Sequence, residues 1–144
     1  MKNYEKTSYE ENAYKWLKRN GWGDRFEYPG IYEICIDGKT VYVGKSKNML
    51  RRLAQHWVGI KTESERKYRI LAEAKRHKHK VSFDVLYYAV ELPPLIEEEL
   101  GEKEGEFIRE LKPVLNTQIP KADNWRNYEI NEIASTITLS EILQ

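Results

Sequence analysis

The sequence predicts an α+β fold in which a small antiparallel β-sheet of about three strands is flanked by helices. Two β-prone runs, Ile31–Ile36 and Lys39–Val43, are separated by the turn dipeptide Asp37-Gly38. A third β-prone run lies within residues 81–92, and the remaining apolar positions repeat at helical spacing. A chain of 144 residues with 40 % hydrophobic content has the size of one domain.

The N-terminal region, residues 1–28, is predicted to be a helical extension. Residues 9–19 carry Tyr9, Ala13, Trp16 and Leu17 at helical spacing, and Asn20-Gly21 follows as a helix stop. We expect this amphipathic helix to pack on the sheet edge. The alternative is that its lysines and arginine face phosphates.

The hairpin turn decides where Tyr32 and Tyr42 point. A two-residue turn would place Tyr32 opposite Val43, with the two phenols on opposite faces of the ribbon. A three-residue loop ending at Gly38 would pair Tyr32 with Tyr42. We expect the three-residue loop, because it lets both phenols line one site.

The helix after the hairpin carries two polar candidates. Asn48 offers an N-cap oxygen, and the expected buried positions are Leu50, Leu53 and Trp57. Arg52 and His56 are four residues apart, so they lie together on the face beside this apolar stripe. The alternatives are a solvated arginine and a half-buried histidine at the core edge.

The net charge is only +1, but the charges are segregated along the chain. Residues 45–80 hold twelve Lys/Arg against three Glu, whereas residues 91–110 hold eight Glu against two Lys/Arg. A basic half is typical of proteins that bind phosphates, although two solvated helix faces of opposite sign would give the same counts. A second basic helix is predicted over residues 64–77, with one side formed by Tyr68, Leu71, Ala72 and Lys75.

The C-terminal half of the core should add a strand and a long helix. Residues 81–92 form the third strand and end at Pro93-Pro94, and an acidic helix follows with apolar positions Ile96, Leu100, Phe107, Ile108 and Leu111. Glu104 lies four residues from both Leu100 and Ile108, so it falls on the face that should be buried. Because burying an unpartnered carboxylate costs several kcal/mol, we expect a cation or donor opposite it.

The ordered motifs Gly30-Ile31-Tyr32, Tyr42-Val43-Gly44, Arg52, Glu104, Pro113 and Asn116 resemble the GIY-YIG nuclease family. Val43 stands where the family name has isoleucine. The similarity covers a GIY-YIG-like nuclease core over residues 29–118, followed by a C-terminal extension over residues 119–144. That extension is one or two packing helices, a dimer contact or a DNA-contacting appendage, and the sequence does not rank these.

The resemblance implies a metal-dependent endonuclease that hydrolyses DNA phosphodiesters by direct water attack at a single-metal site. Glu104 is then the ligand of one Mg²⁺ or Mn²⁺ ion, and Arg52 holds the scissile phosphate. We expect Tyr42, followed closely by Lys45, to be the general base and Tyr32 to position the water, with the exchanged roles nearly as plausible. His56 would relay a proton, and the supporting residues are Gly30, Gly44, Lys45 and Asn116.

The expected nucleic-acid contacts are Lys45, Lys47, Arg51, Lys67 and Arg76. Three alternatives stay open: a non-catalytic nucleic-acid-binding module on the same fold, a nuclease acting on RNA, and a small-molecule phosphodiesterase. His77 and His79 are too poorly spaced for a zinc site. One cysteine and the lack of a long apolar run predict a cytoplasmic protein without membrane contact, either monomer or homodimer.

Overall fold

The computed structural model describes residues 3–116 of the chain. The elements in order are α1 (Asn3–Arg19), α2 (Gly23–Phe26), β1 (Gly30–Ile36), β2 (Lys39–Ser46), α3 (Met49–Thr62), α4 (Arg66–Arg76), β3 (Val81–Tyr88) and α5 (Leu95–Leu111). The strands form one antiparallel sheet in the order β2-β1-β3. The predicted α+β class is therefore confirmed. The predicted C-terminal extension lies outside the described residues.

The turn between β1 and β2 is not the predicted one. Ile36 pairs with Lys39, so only Asp37 and Gly38 form the loop. Both have positive φ, 50° and 81°, which matches the primed two-residue turn that follows the twist of paired strands. The predicted three-residue loop is wrong.

A β-bulge nevertheless brings the two tyrosines to one face of the sheet. The register shifts between Ile34 and Cys35, and Val41 is the extra residue on β2. Because side chains alternate along a strand, one extra residue moves Tyr42 to the face that carries Tyr32. The expectation of a shared face is confirmed, and its cause is the bulge.

The larger part of the core covers the tyrosine face of the sheet. Helices α3 and α4 pack there, and α1 packs mainly on α3 rather than on the sheet edge as expected. Tyr14 and Leu17 of α1 and Phe26 of α2 are buried in the same cluster as Leu50 and Leu53. The N-terminal helices therefore share the hydrophobic core that covers this face of the sheet.

Helix α5 covers the opposite face. Ile31 and Val43 project from the strands and meet Ile96, Leu100 and Ile108 of α5. Since β1 is the central strand, its side chains alternate between this cluster and the larger one.

Two apolar helix positions, Trp57 and Leu111, are less buried than predicted. Trp57 is half-buried at the edge of α3, where its ring packs edge-on against Trp16 with the ring centroids 5.1 Å apart. Leu111 is exposed, and it lies in the last turn of α5, where fewer neighbouring elements cover it. The predicted stripe on α3 holds for Leu50 and Leu53.

Within residues 3–116, none of the helices combines the length and the apolar character needed to cross a bilayer.

Candidate active site

The two motif tyrosines lie side by side on the sheet. Tyr32 is on the central strand β1 and Tyr42 on the edge strand β2, with ring centroids 6.4 Å apart. Tyr32 is only 3 % exposed, whereas Tyr42 is half-buried. Burial, and then the neighbouring Tyr42, raises the pKa of Tyr32 far above its ordinary value, although the Arg52 guanidinium opposes this shift. Tyr32 is therefore a neutral phenol at physiological pH.

The motif glycines leave room for neighbouring groups. Gly44 lies opposite Tyr32, and a Cβ at position 44 would come within 2.3 Å of the Tyr32 hydroxyl oxygen. A Cβ at Gly30 would come within 2.2 Å of the Tyr87 carbonyl oxygen on β3. Both positions accept only glycine without a shift of the strand or of the phenol.

Replacing Gly44 with alanine is expected to lower the free energy of unfolding by about 1–3 kcal/mol, because the added methyl group overpacks the Tyr32 ring. Urea denaturation measures this. The control is Gly101→Ala on α5, where a Cβ would meet only the Lys45 Nζ at 3.9 Å. That variant should be neutral or gain up to about 1 kcal/mol from helix propensity. Equal stability of both variants would contradict the contact between Gly44 and Tyr32.

His56 lies at the centre of the buried polar groups. Its side chain is fully buried, not half-buried at the core edge, and its Nε2 is 2.6 Å from the Tyr32 hydroxyl oxygen. Its Nδ1 is 2.9 Å from the hydroxyl oxygen of Tyr68 on α4. Burial, followed by the charges of Arg52 and Lys67, lowers the pKa of His56 to about 3, so the imidazole is neutral.

Tyr68 is the site residue that the sequence did not reveal. Helical spacing predicts only that it is buried, which it is at 6 % exposure. Its ring packs directly on α3, where a Cβ at Gly59 would come within 2.3 Å of it. The available signal was Gly59, a glycine inside a helix that leaves room for a neighbouring side chain. The sequence does not show which helix supplies that side chain, so it does not point to Tyr68.

Arg52 is directed at the tyrosines. It is half-buried, donates a hydrogen bond to Gln55 Oε1 at 2.5 Å, and interacts electrostatically with both Tyr32 and Tyr42. The helical spacing of Arg52 and His56 on α3 thus places both beside the phenol pair, as the sequence predicted.

Lys67, not Lys45, lies over the Tyr42 ring. The Lys67 Nζ lies 5.1 Å from the Tyr42 ring centroid and 5.0 Å from that of Tyr68. Lys45 is three positions after Tyr42 and so projects to the opposite face of β2, where its Nζ lies over Gly101 of α5. The positive charge expected beside Tyr42 is therefore supplied by Lys67 and not by Lys45.

Glu104 reaches the same end of β2 from the other side. It is half-buried on α5, and burial raises the pKa of its carboxyl. The Lys45 charge and backbone N–H and the Arg52 charge act against that rise, so these groups lie within its electrostatic reach. The expected cation opposite Glu104 is thus provided by two residues.

The donor set fits a hard cation that keeps most of its water. Among residues 3–116, no three His, Cys, Asp or Glu side chains are grouped to hold a metal ion. Mg²⁺ typically binds one or two carboxylates together with substrate phosphates and several waters. Glu104 next to a phosphate would satisfy that requirement, whereas a structural Zn²⁺ site needs four protein ligands.

Asn116 fixes the edge strand from outside. Its Oδ1 accepts the Val43 N–H at 2.9 Å, and its Nδ2 donates to the Val43 carbonyl at 2.8 Å. The Leu115 N–H also donates to the Val41 carbonyl at 2.8 Å. The segment after α5 therefore replaces a fourth strand along β2 and holds the backbone that flanks Tyr42.

The remaining predicted nucleic-acid contacts are ion-paired within the protein. Lys47 pairs with Glu97 at 2.5 Å, and Arg51 pairs with Glu11 at 2.7 Å, while Arg76 contacts Glu63 and Glu73, each at 3.0 Å. Exposed pairs of this kind are worth about 0.2–1 kcal/mol, so a phosphate would displace them at little cost. Their contact with nucleic acid stays a prediction.

Comparison with known proteins gives one family. The model for the GIY-YIG catalytic domain matches residues 28–118 of the 144. Neither the search of curated proteins nor the search of solved structures gave a match. The matched range contains both tyrosines of the hairpin, Arg52, His56, Tyr68 and Glu104.

Proposed function

The chain belongs to the GIY-YIG family, whose catalytic domain implies a nuclease, and from this premise we propose that it is a metal-dependent DNA endonuclease. The observation that carries the proposal is the meeting of a phenol pair, Arg52 and a half-buried Glu104 around the end of β2. Phosphodiester hydrolysis needs an activated water, charge relief on the phosphate oxygens and a protonated leaving group. The first two are available from these side chains.

Tyr42 is the better general base of the two phenols. Tyr32 stays protonated because it is buried, whereas Tyr42 is half-buried and Lys67 lies over its ring. A tyrosine takes the proton of the water as a phenolate, and the negative charge of a Tyr42 phenolate would be stabilised by Lys67 and Arg52. The water oxygen then bonds to phosphorus, the opposite phosphorus–oxygen bond breaks, and the leaving oxygen takes a proton from solvent. With no covalent intermediate, the configuration at phosphorus inverts.

Arg52 is placed to act on the transition state. A guanidinium offers a planar fork of N–H donors that matches two phosphate oxygens, and its charge counts more as negative charge builds on them. Glu104 and the substrate phosphate would hold one Mg²⁺ or Mn²⁺ ion. When bound, such an ion neutralises phosphate charge as a Lewis acid.

Comparing the losses in kcat caused by Tyr42→Phe and Tyr32→Phe tests which tyrosine is the general base. Tyr42→Phe should lower kcat by about 100-fold or more, the usual contribution of a general base. Tyr32→Phe should cost clearly less, because it only removes a positioning contact. Single-turnover cleavage rates measure both, and the reverse order would exchange the two roles.

The proposed function itself is tested with the purified wild-type chain. Supercoiled plasmid, linear duplex, single-stranded DNA and RNA are each incubated with Mg²⁺, with Mn²⁺ and with a chelator. We expect metal-dependent cutting of DNA that the chelator abolishes. Cutting of RNA alone would refute the DNA substrate, and binding without any cutting would indicate a non-catalytic module.

A further inference from the structure

We propose that Tyr68 is a positioning residue that fixes the tautomer of His56 and, through it, the direction of the Tyr32 hydroxyl. Its catalytic consequence rests on the proposed nuclease function, whereas its geometric part does not. Three side chains form an unbroken chain, with 2.6 Å from the Tyr32 oxygen to His56 Nε2 and 2.9 Å from His56 Nδ1 to the Tyr68 oxygen. These three hydrogen-bonded side chains connect the sheet through α3 to α4.

The surrounding residues hold these three side chains in place. His56 is fully buried, and Tyr32 and Tyr68 are 3 % and 6 % exposed, so solvent hardly reaches their hydroxyls. The bare backbone of Gly59 lets the Tyr68 ring lie directly on α3. The Lys67 ammonium also lies 5.0 Å from the Tyr68 ring centroid. Each ring therefore has little room to turn away from its hydrogen-bond partner.

A neutral imidazole has one N–H and one bare nitrogen, so the two tyrosines cannot both accept from it. Arg52 has only donors and interacts with the Tyr32 oxygen, which leaves the Tyr32 hydroxyl proton to be donated elsewhere. The arrangement that uses these groups best has Nδ1–H donating to Tyr68 and the Tyr32 O–H donating to Nε2. By accepting the Nδ1–H, Tyr68 stabilises the tautomer in which Nε2 is the acceptor.

This arrangement would leave a lone pair of the Tyr32 oxygen directed towards the site. A lone pair at that position accepts a hydrogen bond from the attacking water, which is the role proposed for Tyr32. If the imidazole took the other tautomer, Nε2–H would donate to Tyr32 and the phenol proton would turn towards the water instead. The water would then be held in the wrong orientation for transfer of its proton to Tyr42.

The geometric part is tested by nitrogen NMR on the full-length chain labelled with ¹⁵N-histidine. In a background with His77→Gln and His79→Gln, His56 is the only histidine, and its ring shifts at neutral pH distinguish the two tautomers. We expect the Nδ1–H tautomer in this background and a shift towards Nε2–H after Tyr68→Phe, which removes only the acceptor oxygen. Tyr87→Phe is the control, because Tyr87 donates to Glu99 on the other face of the sheet.

The catalytic part is tested by the kinetics of the same variants. Tyr68→Phe should lower kcat by about 10-fold or more with KM within about twofold, the pattern of a group that orients another. Tyr87→Phe should leave both constants unchanged. An Nε2–H tautomer in the background that keeps only His56, an unchanged tautomer after Tyr68→Phe in that background, or an unchanged kcat would each overturn the inference.

The two proposals fail separately. If the wild-type chain cuts none of the nucleic acids, the proposed function fails, and the spectrum alone decides whether Tyr68 sets the tautomer. If the chain cuts DNA and the tautomer does not respond to Tyr68→Phe, the nuclease proposal stands and the positioning role is refuted.

Discussion

Replacing Glu104 with glutamine is expected to abolish turnover while leaving nucleic-acid binding intact. The amide keeps the volume of the carboxyl but lacks the negative charge that a hard cation requires, so the only metal ligand assigned to this site is lost. We expect a loss of about 1,000-fold or more in kcat, equivalent to about 4 kcal/mol of transition-state stabilisation. The folded state should tolerate the change, because Glu104 is half-buried and its burial already disfavours the charged form.

Two measurements separate the effect of Glu104→Gln on turnover from its effect on binding. Cleavage of plasmid DNA gives the rate, and the fluorescence anisotropy of a labelled duplex in chelator gives the affinity. The control is Glu106→Gln, an exposed acid on the same helix that pairs with Lys103 at 3.3 Å. It should behave as the wild type. Activity retained in Glu104→Gln would assign the metal ligand to another residue.

Replacing Arg52 with alanine should cost far more in turnover than in affinity. The guanidinium is half-buried beside Tyr32 and Tyr42, so in the proposed mechanism it would contact only the scissile phosphate. A donor aimed at developing charge typically contributes about 100- to 1,000-fold in kcat. We expect a loss in that range, with the dissociation constant for duplex DNA changed by no more than a few-fold.

The neighbouring arginine is the matched control. Arg51 is exposed, pairs with Glu11 and stacks on the Tyr14 ring at 3.9 Å, away from the phenol pair. Arg51→Ala should weaken binding to all DNA sequences equally, with little effect on kcat. The slope of the logarithm of the binding constant against the logarithm of the salt concentration should fall by the value of about one phosphate contact. If Arg52→Ala also lowers only the affinity, Arg52 contacts the DNA backbone and does not act on the transition state.

The local elements of the fold follow from the sequence because their signals are local. The β-prone runs around Asp37-Gly38, the Asn48 cap and the helical spacing of Arg52 and His56 all involve residues within one turn or one element. The cap is seen directly, since the Asn48 Oδ1 accepts the Arg51 N–H at 3.2 Å. These features place the arginine and histidine beside the hairpin.

The features that the sequence did not give depend on packing between elements. The bulge at Val41 has no glycine or other marker, and it is held by the Leu115 N–H, which lies far along the chain and donates to the Val41 carbonyl. The contact between His56 and Tyr68 depends on how α3 meets α4. The exchange of Lys45 for Lys67 beside Tyr42 follows from the strand face and from that same helix packing.

Glu104 is an example of a residue whose position was only partly predictable from the sequence. Its position between Leu100 and Ile108 marks Glu104 as out of pattern on an apolar face, and the structure finds it half-buried with Lys45 nearby. The helical pattern alone does not place α5 on the face of the sheet opposite the phenols. The site is therefore formed around the end of β2 and not within one face.

In the proposed mechanism, the phenol pair, Arg52 and Glu104 act on a single phosphate. A crystal structure of the wild-type chain with Mn²⁺ and a DNA duplex tests this most directly, since Mn²⁺ is located by its anomalous scattering. We expect one ion on the Glu104 carboxylate and, next to it, a DNA backbone phosphate within hydrogen-bond distance of Arg52. An ion bound elsewhere, or a phosphate beyond the reach of Arg52 and the two tyrosines, would contradict this mechanism.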